Sequence, residues 1–396
     1  MVTMQPAPNE LADIVKQGLA AMRAGEPQRG RDLFSRAAAL APGHAPAWVG
    51  LALACDLLKD SAGKLTAVER ALAIDPRNLR ALILKADHFV LTGDMRGAAA
   101  YFRMATEAAP AMSQLPPFMQ DEVRRARAFG ENYTAQYEAS LREALATRGF
   151  DAARMSGRFA QSLDILFGRK KIYFQQPLSY FLPELPQIQF YDRAQFPWLD
   201  KIEAATGDIR GELEDVLREP AKFTPYVEGK AESPLKSDRN LLNNPDWSAF
   251  YLWKNGAIVP ENAARCPKTL AAIDGAPLTH IAGRAPSILF SLLRPGARIP
   301  PHTGFLNARL ICHLPLIVPP DCTFRVGNET RTWREGEAWV FDDTIEHEAH
   351  NGSDQTRVIL IFDVWRPEVS ADERGSIAAM LEAIDAHGAR QPDWEG

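Results

Sequence analysis

Four of the eight histidines, His302, His313, His347 and His350, fall between Pro301 and Pro367, among short β-branched and aromatic runs separated by turn residues. Imidazole is the commonest protein ligand for first-row transition metals. His302 and His347 stand 45 positions apart (347 − 302). Two strands of a small barrel can close that separation, and one helix cannot. Two imidazoles with vacant positions beside them suit a non-haem iron(II) oxygenase. Such sites usually add an acid two residues after the first histidine, and here that position is Gly304. Spacing alone reads equally well as a metal pair or as two structurally satisfied histidines.

The elements that would carry these residues are strands. Runs at 287–293, 309–316, 323–326, 330–333, 338–341 and 357–365 are each bounded by Gly, Pro, Asn or Asp, and Gly327-Asn328 reads as a two-residue hairpin turn. Many short strands at this spacing predict an antiparallel sandwich or barrel. Period-2 alternation puts Arg309, Ile311 and His313 on one face, and Arg357, Ile359, Ile361 and Asp363 on one face of the last strand. Polar residues on an otherwise apolar inner face need partners, which an anionic ligand with a metal would supply. The same alternation places Trp247, Ala249, Tyr251 and Trp253 together on one side, which by itself reads as aromatic core.

His302-Thr303-Gly304, Arg309-Leu310, His313-Leu314, the block from Asn328 to Trp333, Glu335-Gly336, Phe341-Asp342-Asp343, Glu346-His347-Glu348 and Asp363-Val364-Trp365 carry a resemblance. With Phe190-Tyr191-Asp192-Arg193 and Phe196-Pro197-Trp198-Leu199 upstream, the stretch from about 174 to 366 resembles the aspartyl/asparaginyl β-hydroxylase family. That resemblance implies a double-stranded β-helix (jelly-roll or cupin-like) domain and a dioxygenase using Fe(II), 2-oxoglutarate and O2. It implies His302 and His347 as the metal ligands, and the family's lack of an acidic ligand agrees with Gly304. It implies a 2-oxoglutarate pocket of Arg357, Ser291, Trp247 and His313, with Arg309 gripping either the cosubstrate's metal-bound end or an acidic group on the substrate. His302, His347 and Arg309 would be the catalytic residues. Asp342 and Asp343 would orient His347 or a water, or simply form a turn. Ile311 stands where the animal enzymes usually have a further arginine, implying a different substrate side chain or an Asp held by Arg309 alone.

The first third is repetitive. Pro42, Pro76 and Pro110 are spaced by 34 (76 − 42, 110 − 76), and so are Phe34, Val68 and Phe102, and Ala37, Ala71 and Ala105. This period resembles the tetratricopeptide repeat and predicts three helix-turn-helix units, with Gly25, Lys59 and Gly93 at matching turns. Stacked units leave a groove that commonly holds a peptide or partner protein, and a mere spacer is the alternative.

The expected layout is an α+β multidomain chain. It has a flexible start at 1–10, an α-helical repeat solenoid at 11–111, a helical linker at 112–172, the β-helix catalytic domain with flanking helices at 173–370, and a C-terminal helix and tail at 371–396. One amphipathic helix is expected at 202–217. The 396 residues carry a formal charge of −5, which gives no footprint for nucleic acid. Cys55, Cys266, Cys312 and Cys322 lack paired spacing, so neither a disulfide framework nor a zinc knuckle is indicated. No leader or apolar span stands out, which predicts a cytoplasmic protein without a membrane span. The leading functional expectation is β-hydroxylation of Asp or Asn in a peptide or protein recruited by the repeats. The alternatives are an oxygenase of a small molecule or lipid acyl chain, and a non-catalytic scaffold with a degenerate barrel.

Overall fold

The computed structural model describes residues 8–150, 156–227 and 242–387. The expected flexible start and the end of the C-terminal tail fall largely outside them. The chain divides into two compact units, Met1–Phe167 and Gly168–Gly396.

The first unit is a series of helix hairpins resembling a tetratricopeptide-repeat solenoid: α1 (Pro8–Arg23) with α2 (Pro27–Leu40), α3 (Ala45–Leu57) with α4 (Ser61–Ile74), and α5 (Leu79–Thr92) with α6 (Met95–Ala108). Gly25, Lys59 and Gly93 all have positive φ, at 76°, 63° and 80°. The matching turn positions therefore share one left-handed conformation, and Lys59 adopts it despite its side chain. Asp60 and Asp94 then cap the second helices by accepting from the Gly63 and Gly97 amides at 2.9 and 2.8 Å. Phe34, Val68, Phe102, Ala37, Ala71 and Ala105 are all buried, so the 34-residue period is a period of core contacts. The next helix, α7 (Pro117–Thr147), is more than a connector: Met119 and Ala126 join the hydrophobic cluster of Phe102, closing the end of the stack. A short helix, α8 (Gly157–Leu166), follows.

The second unit is built on two antiparallel sheets. The larger contains β1 (Thr224–Pro225), β2 (Trp247–Lys254), β3 (Ala257–Ile258), β4 (Ile288–Leu293), β6 (Arg309–Ile317), β9 (Trp339–Phe341) and β11 (Arg357–Trp365), in the order β1-β2-β4-β11-β6-β9 with β3 on β2. The smaller contains β5 (Arg298–His302), β7 (Cys322–Val326), β8 (Glu329–Thr332) and β10 (His347–Asn351), in the order β5-β10-β7-β8. Leu310, Cys312, Leu314, Val358, Leu360, Phe362 and Val364 pack as one core with Ile209, Leu213 and Val216 of a covering helix. The alternate residues of β6 and β11 face the other way, toward a cavity.

Three local features differ from the sequence pattern. The helix expected at 202–217 is two, α9 (Leu199–Ala204) and α10 (Thr206–Leu217), broken where the Thr206 hydroxyl donates to the Glu203 carbonyl at 2.7 Å. Strand β2 carries a bulge between Tyr251 and Trp253, which moves Trp253 off the face of Ala249 and Tyr251 and onto the core of Phe250 and Leu252. Strands β5 and β10, which carry the two histidines, lie outside the expected runs. Beyond the short helices α11 (Pro260–Ala263) and α12 (Pro267–Ile273), the last element among the described residues is α13 (Ala371–Ala386), opened by a Ser370/Glu373 capping box. Among the described residues no helix is long and apolar enough to cross a membrane.

Candidate active site

A single cavity brings together His302, His347, His313, Arg309, Arg357, Ser291 and Trp247, and it encloses about 930 Å³ including the part open to solvent. Its walls are the inward faces read from period-2 alternation: Arg309, Ile311 and His313 from β6, and Arg357, Ile359, Ile361 and Asp363 from β11.

His302 and His347 are direct cross-strand partners on β5 and β10, with ring centroids 4.0 Å apart. Their Nδ1 atoms lie 2.8 Å from the Pro300 carbonyl and 3.1 Å from the Ile345 carbonyl. A carbonyl only accepts, so each Nδ1 carries the proton and each Nε2 keeps its lone pair. Burial lowers both pKa values, that of His347 well below the usual range. Two neutral imidazoles with fixed tautomers and adjacent rings form a donor set that fits a divalent metal. Among the described residues no group of three or more His, Cys, Asp or Glu gathers in the same way.

Arg357 is 1% exposed, and among the described residues no acid pairs with it. Its Nη1 reaches the Ser291 carbonyl only at 3.5 Å, its Nε has no partner, and its guanidinium lies 4.9 Å from the centroid of Trp333. Burial pushes its pKa down to about 10. Beside it the Ser291 hydroxyl accepts from the Trp247 indole at 3.2 Å, leaving its own proton to donate, and Tyr226 stacks on Trp247 at 4.0 Å. His313, packed on Phe324 and Phe341, is held neutral by burial and by the charge of Arg357. This end of the cavity is a buried cation among hydrogen-bond donors, the environment a carboxylate completes.

Six residues along the same face of β11, roughly 20 Å away at strand rise, the chemistry changes. Arg309 pairs with Asp343 at 3.2 Å and approaches Asp363 at 3.8 Å. Burial raises the pKa of Asp343 to about 6 against the opposing pull of Arg309. A Cβ at position 304 would lie 1.9 Å from Asp343 Oδ2. The space that a side chain at position 304 would need is thus taken by the Asp343 carboxylate, which comes from the turn between β9 and β10. Asp342 points elsewhere: it accepts from Thr344, Gln175 and the fully buried Arg366. The neighbouring acids therefore differ in kind, one a structural anchor and one a cavity residue.

The cavity also contains residues that the sequence pattern did not single out as site residues, among them Tyr226, Asn255, Arg284 and Ser287. Arg284 is gripped by Asp385 of α13. These four come from loops or short pairings, where no periodicity marks them; Trp333 lay inside a quoted motif but carried no assigned role.

Residues 203–367 match the family model described as Aspartyl/Asparaginyl beta-hydroxylase. Aspartyl/asparaginyl beta-hydroxylase of Mus musculus is 42% identical over 148 residues, 37% of this chain and 20% of that protein. Ornithine lipid ester-linked acyl 2-hydroxylase of Rhizobium tropici is 36% identical over 181 residues, 45% of this chain and 60% of that protein. The match thus spans less than two thirds of the length of either relative. Among solved structures, PcrH from Pseudomonas aeruginosa aligns with 34% of this chain and 99% of its own at 21% identity and a TM-score of 0.30. Over residues 203–367, the chain carries a domain of the aspartyl/asparaginyl β-hydroxylase family.

Proposed function

We propose that the second unit is an Fe(II)- and 2-oxoglutarate-dependent dioxygenase that hydroxylates the β-carbon of an Asp or Asn residue in a peptide or protein, with the helical repeats recruiting that substrate or a partner. The observation that carries the reading is Arg357, a buried guanidinium without an acid, in one cavity with two tautomer-fixed imidazoles. Burying such a charge costs several kcal/mol unless an anion joins it. The distal carboxylate of 2-oxoglutarate fits that position, with Arg357 giving charge-assisted bonds, the Ser291 hydroxyl adding a third, and Trp247 and Tyr226 forming the wall. Neutral His313 would donate or accept near the other end of the cosubstrate.

His302 and His347 would hold the metal through Nε2, and with 2-oxoglutarate and O2 it supplies the oxidising chemistry that a protein side chain cannot. The chain's own part is to orient and to exclude water. Ile299, Ile311, Ile359 and Ile361 dry the walls, and Asp343, held by Arg309, orients a water or the rim of His347. The match to an acyl 2-hydroxylase supports a second reading, in which an acyl chain lies along those isoleucines.

Anaerobic titration of the full chain with Fe(II) and then 2-oxoglutarate tests the proposal. A visible metal-to-ligand charge-transfer band is expected, lost in His302→Ala and requiring far more 2-oxoglutarate in Arg357→Ala. A folded parent without the band would refute it. Offered peptides and acyl lipids then separate the two readings by which one stimulates succinate formation.

A further inference from the structure

Resting on the reading of His302 and His347 as the metal pair, we infer that Arg325 is a positioning residue for that pair, acting from the outer face of the smaller sheet. The backbone beside the histidines is weakly tied. Strand β5 carries Pro300 and Pro301 just before His302, and neither has an N–H to give the ladder. The register of β5 against β10 also shifts between His347 and Ala349, so the two prolines stand against the single residue Glu348.

Side chains on the outer face supply what the ladder lacks. Glu346 and Glu348 flank His347 in sequence, and Arg325 of β7 stands directly opposite Glu348. Its Nε donates to Glu348 at 2.5 Å and its Nη2 to Glu346 at 2.8 Å. Its Nη1 donates to the Gly327 carbonyl at 2.8 Å, and the Gly327 amide donates back to the Glu346 carbonyl at 2.8 Å. The second oxygen of Glu348 accepts from Arg298 of β5, which extends the clamp to the strand of His302. On the inner face the neighbours of Arg325 meet the imidazole itself: Val326 is the cross-strand partner of His347, and the Phe324 ring lies 5.9 Å from it. One guanidinium thus fastens both flanks of His347, including the segment whose Ile345 carbonyl holds Nδ1. A planar fork can direct donors to three acceptors at once, and an ammonium cannot hold that geometry. Partly exposed ion pairs add little to global stability, so the clamp should act on the site more than on the fold.

The test is metal binding and ring tautomer, without turnover. The full parent chain, Arg325→Gln and Arg325→Lys are titrated with Mn(II) alone, and urea unfolding of the metal-free chains follows the fold. Mn(II) binding about tenfold weaker is expected in both variants. In proton–nitrogen NMR spectra of the metal-free, histidine-labelled parent, His302 and His347 should each show one tautomer, protonated at Nδ1. In Arg325→Gln the His347 signals should average between tautomers. Should Arg325→Gln fail to fold, the paired change Glu346→Gln with Glu348→Gln leaves the arginine in place, weakens the same clamp and carries the same two readouts. Parental Mn(II) affinity in the variant, an unchanged His347 tautomer, or full rescue by Arg325→Lys would overturn the inference. Failure of the metal-site reading has its own signature, a parent that binds no Mn(II). The tautomer comparison on the metal-free chains then decides the role of Arg325 by itself.

Discussion

Arg357 and Arg366 stand at the two ends of one stretch of chain, β11 and the residue after it, and both are buried to 1% exposure or less. Their surroundings are opposite. Arg366 donates to Asp342 at 2.9 Å, to the Tyr191 hydroxyl at 2.6 and 3.0 Å, and to the Asn307 and Pro186 carbonyls at 2.8 and 3.1 Å. Arg357 has one long contact to a carbonyl, an indole face and an unpartnered Nε. A buried charge with every donor used holds a fold together, and one left short of partners is poised for a ligand. The difference teaches how to divide this domain. The Arg366 hub fixes the 175–191 segment and the Asp342 turn ahead of His347, and the Arg357 end keeps capacity in reserve.

Methionine at each position should break or confirm that division. Arg366→Met leaves Asp342 buried with one cation fewer, and about 3–5 kcal/mol of stability should be lost in urea unfolding. Arg357→Met removes a charge that nothing offsets, so the unfolding midpoint should hold or rise while 2-oxoglutarate binding weakens by about a hundredfold or more. Equal destabilisation by both would show that Arg357 is structural.

The two arginines were not equally legible in the sequence. Alternation along 309–316 and 357–365 was sufficient to face Arg309, His313, Arg357 and Asp363 into one cavity, because sheet geometry has a strict period of two. Arg366 follows the last strand, and the acceptors of its hydrogen bonds come from residues 24 to 180 positions away, which no local pattern encodes. The histidine strands were hidden for another reason. Strand β5 contains Pro300 and Pro301, tolerable because it is a sheet edge, and β10 reads His-Glu-Ala-His-Asn, without an apolar alternation. Trp253 was misplaced by the bulge in β2, and Asp342 and Asp343 could be told apart only by what each one touches. The repeats were legible because their 34-residue period is also the period of their buried contacts.

Asp343 sharpens the comparison from the acid side. In the folded chain its pKa is raised from 3.8 to about 6 by burial, with Arg309 opposing. The folded state therefore holds this proton more tightly than the unfolded one. The resulting stabilisation is complete below about pH 4 and is lost as pH rises through about 6, amounting to about 3 kcal/mol at most. Asp343→Asn has no proton to lose, so parent and variant should diverge between pH 4 and 7 in urea midpoints of the metal-free chain. A constant difference across that window would show that Asp343 is not buried as described.

The smallest expected effect is at Tyr191, and it tests whether the two ends are independent. Its hydroxyl accepts from Arg366 and donates to Glu368 at 3.1 Å, while its ring packs on Phe196. Burial holds that phenol well above its ordinary pKa, so it stays a neutral donor at any physiological pH. Tyr191→Phe keeps the ring and removes one partner of a guanidinium that retains Asp342 and two carbonyls. The loss should be about 1.5 kcal/mol, well short of that in Arg366→Met, because the remaining acceptors still cover the charge. Affinity for 2-oxoglutarate should be unchanged, since nothing in the hub touches Arg357, Ser291 or Trp247. A Tyr191→Phe chain of near-parental stability that binds 2-oxoglutarate as poorly as Arg357→Met would mean that the hub sets the cavity's geometry, and the division between anchoring and receptive arginines would have to be abandoned.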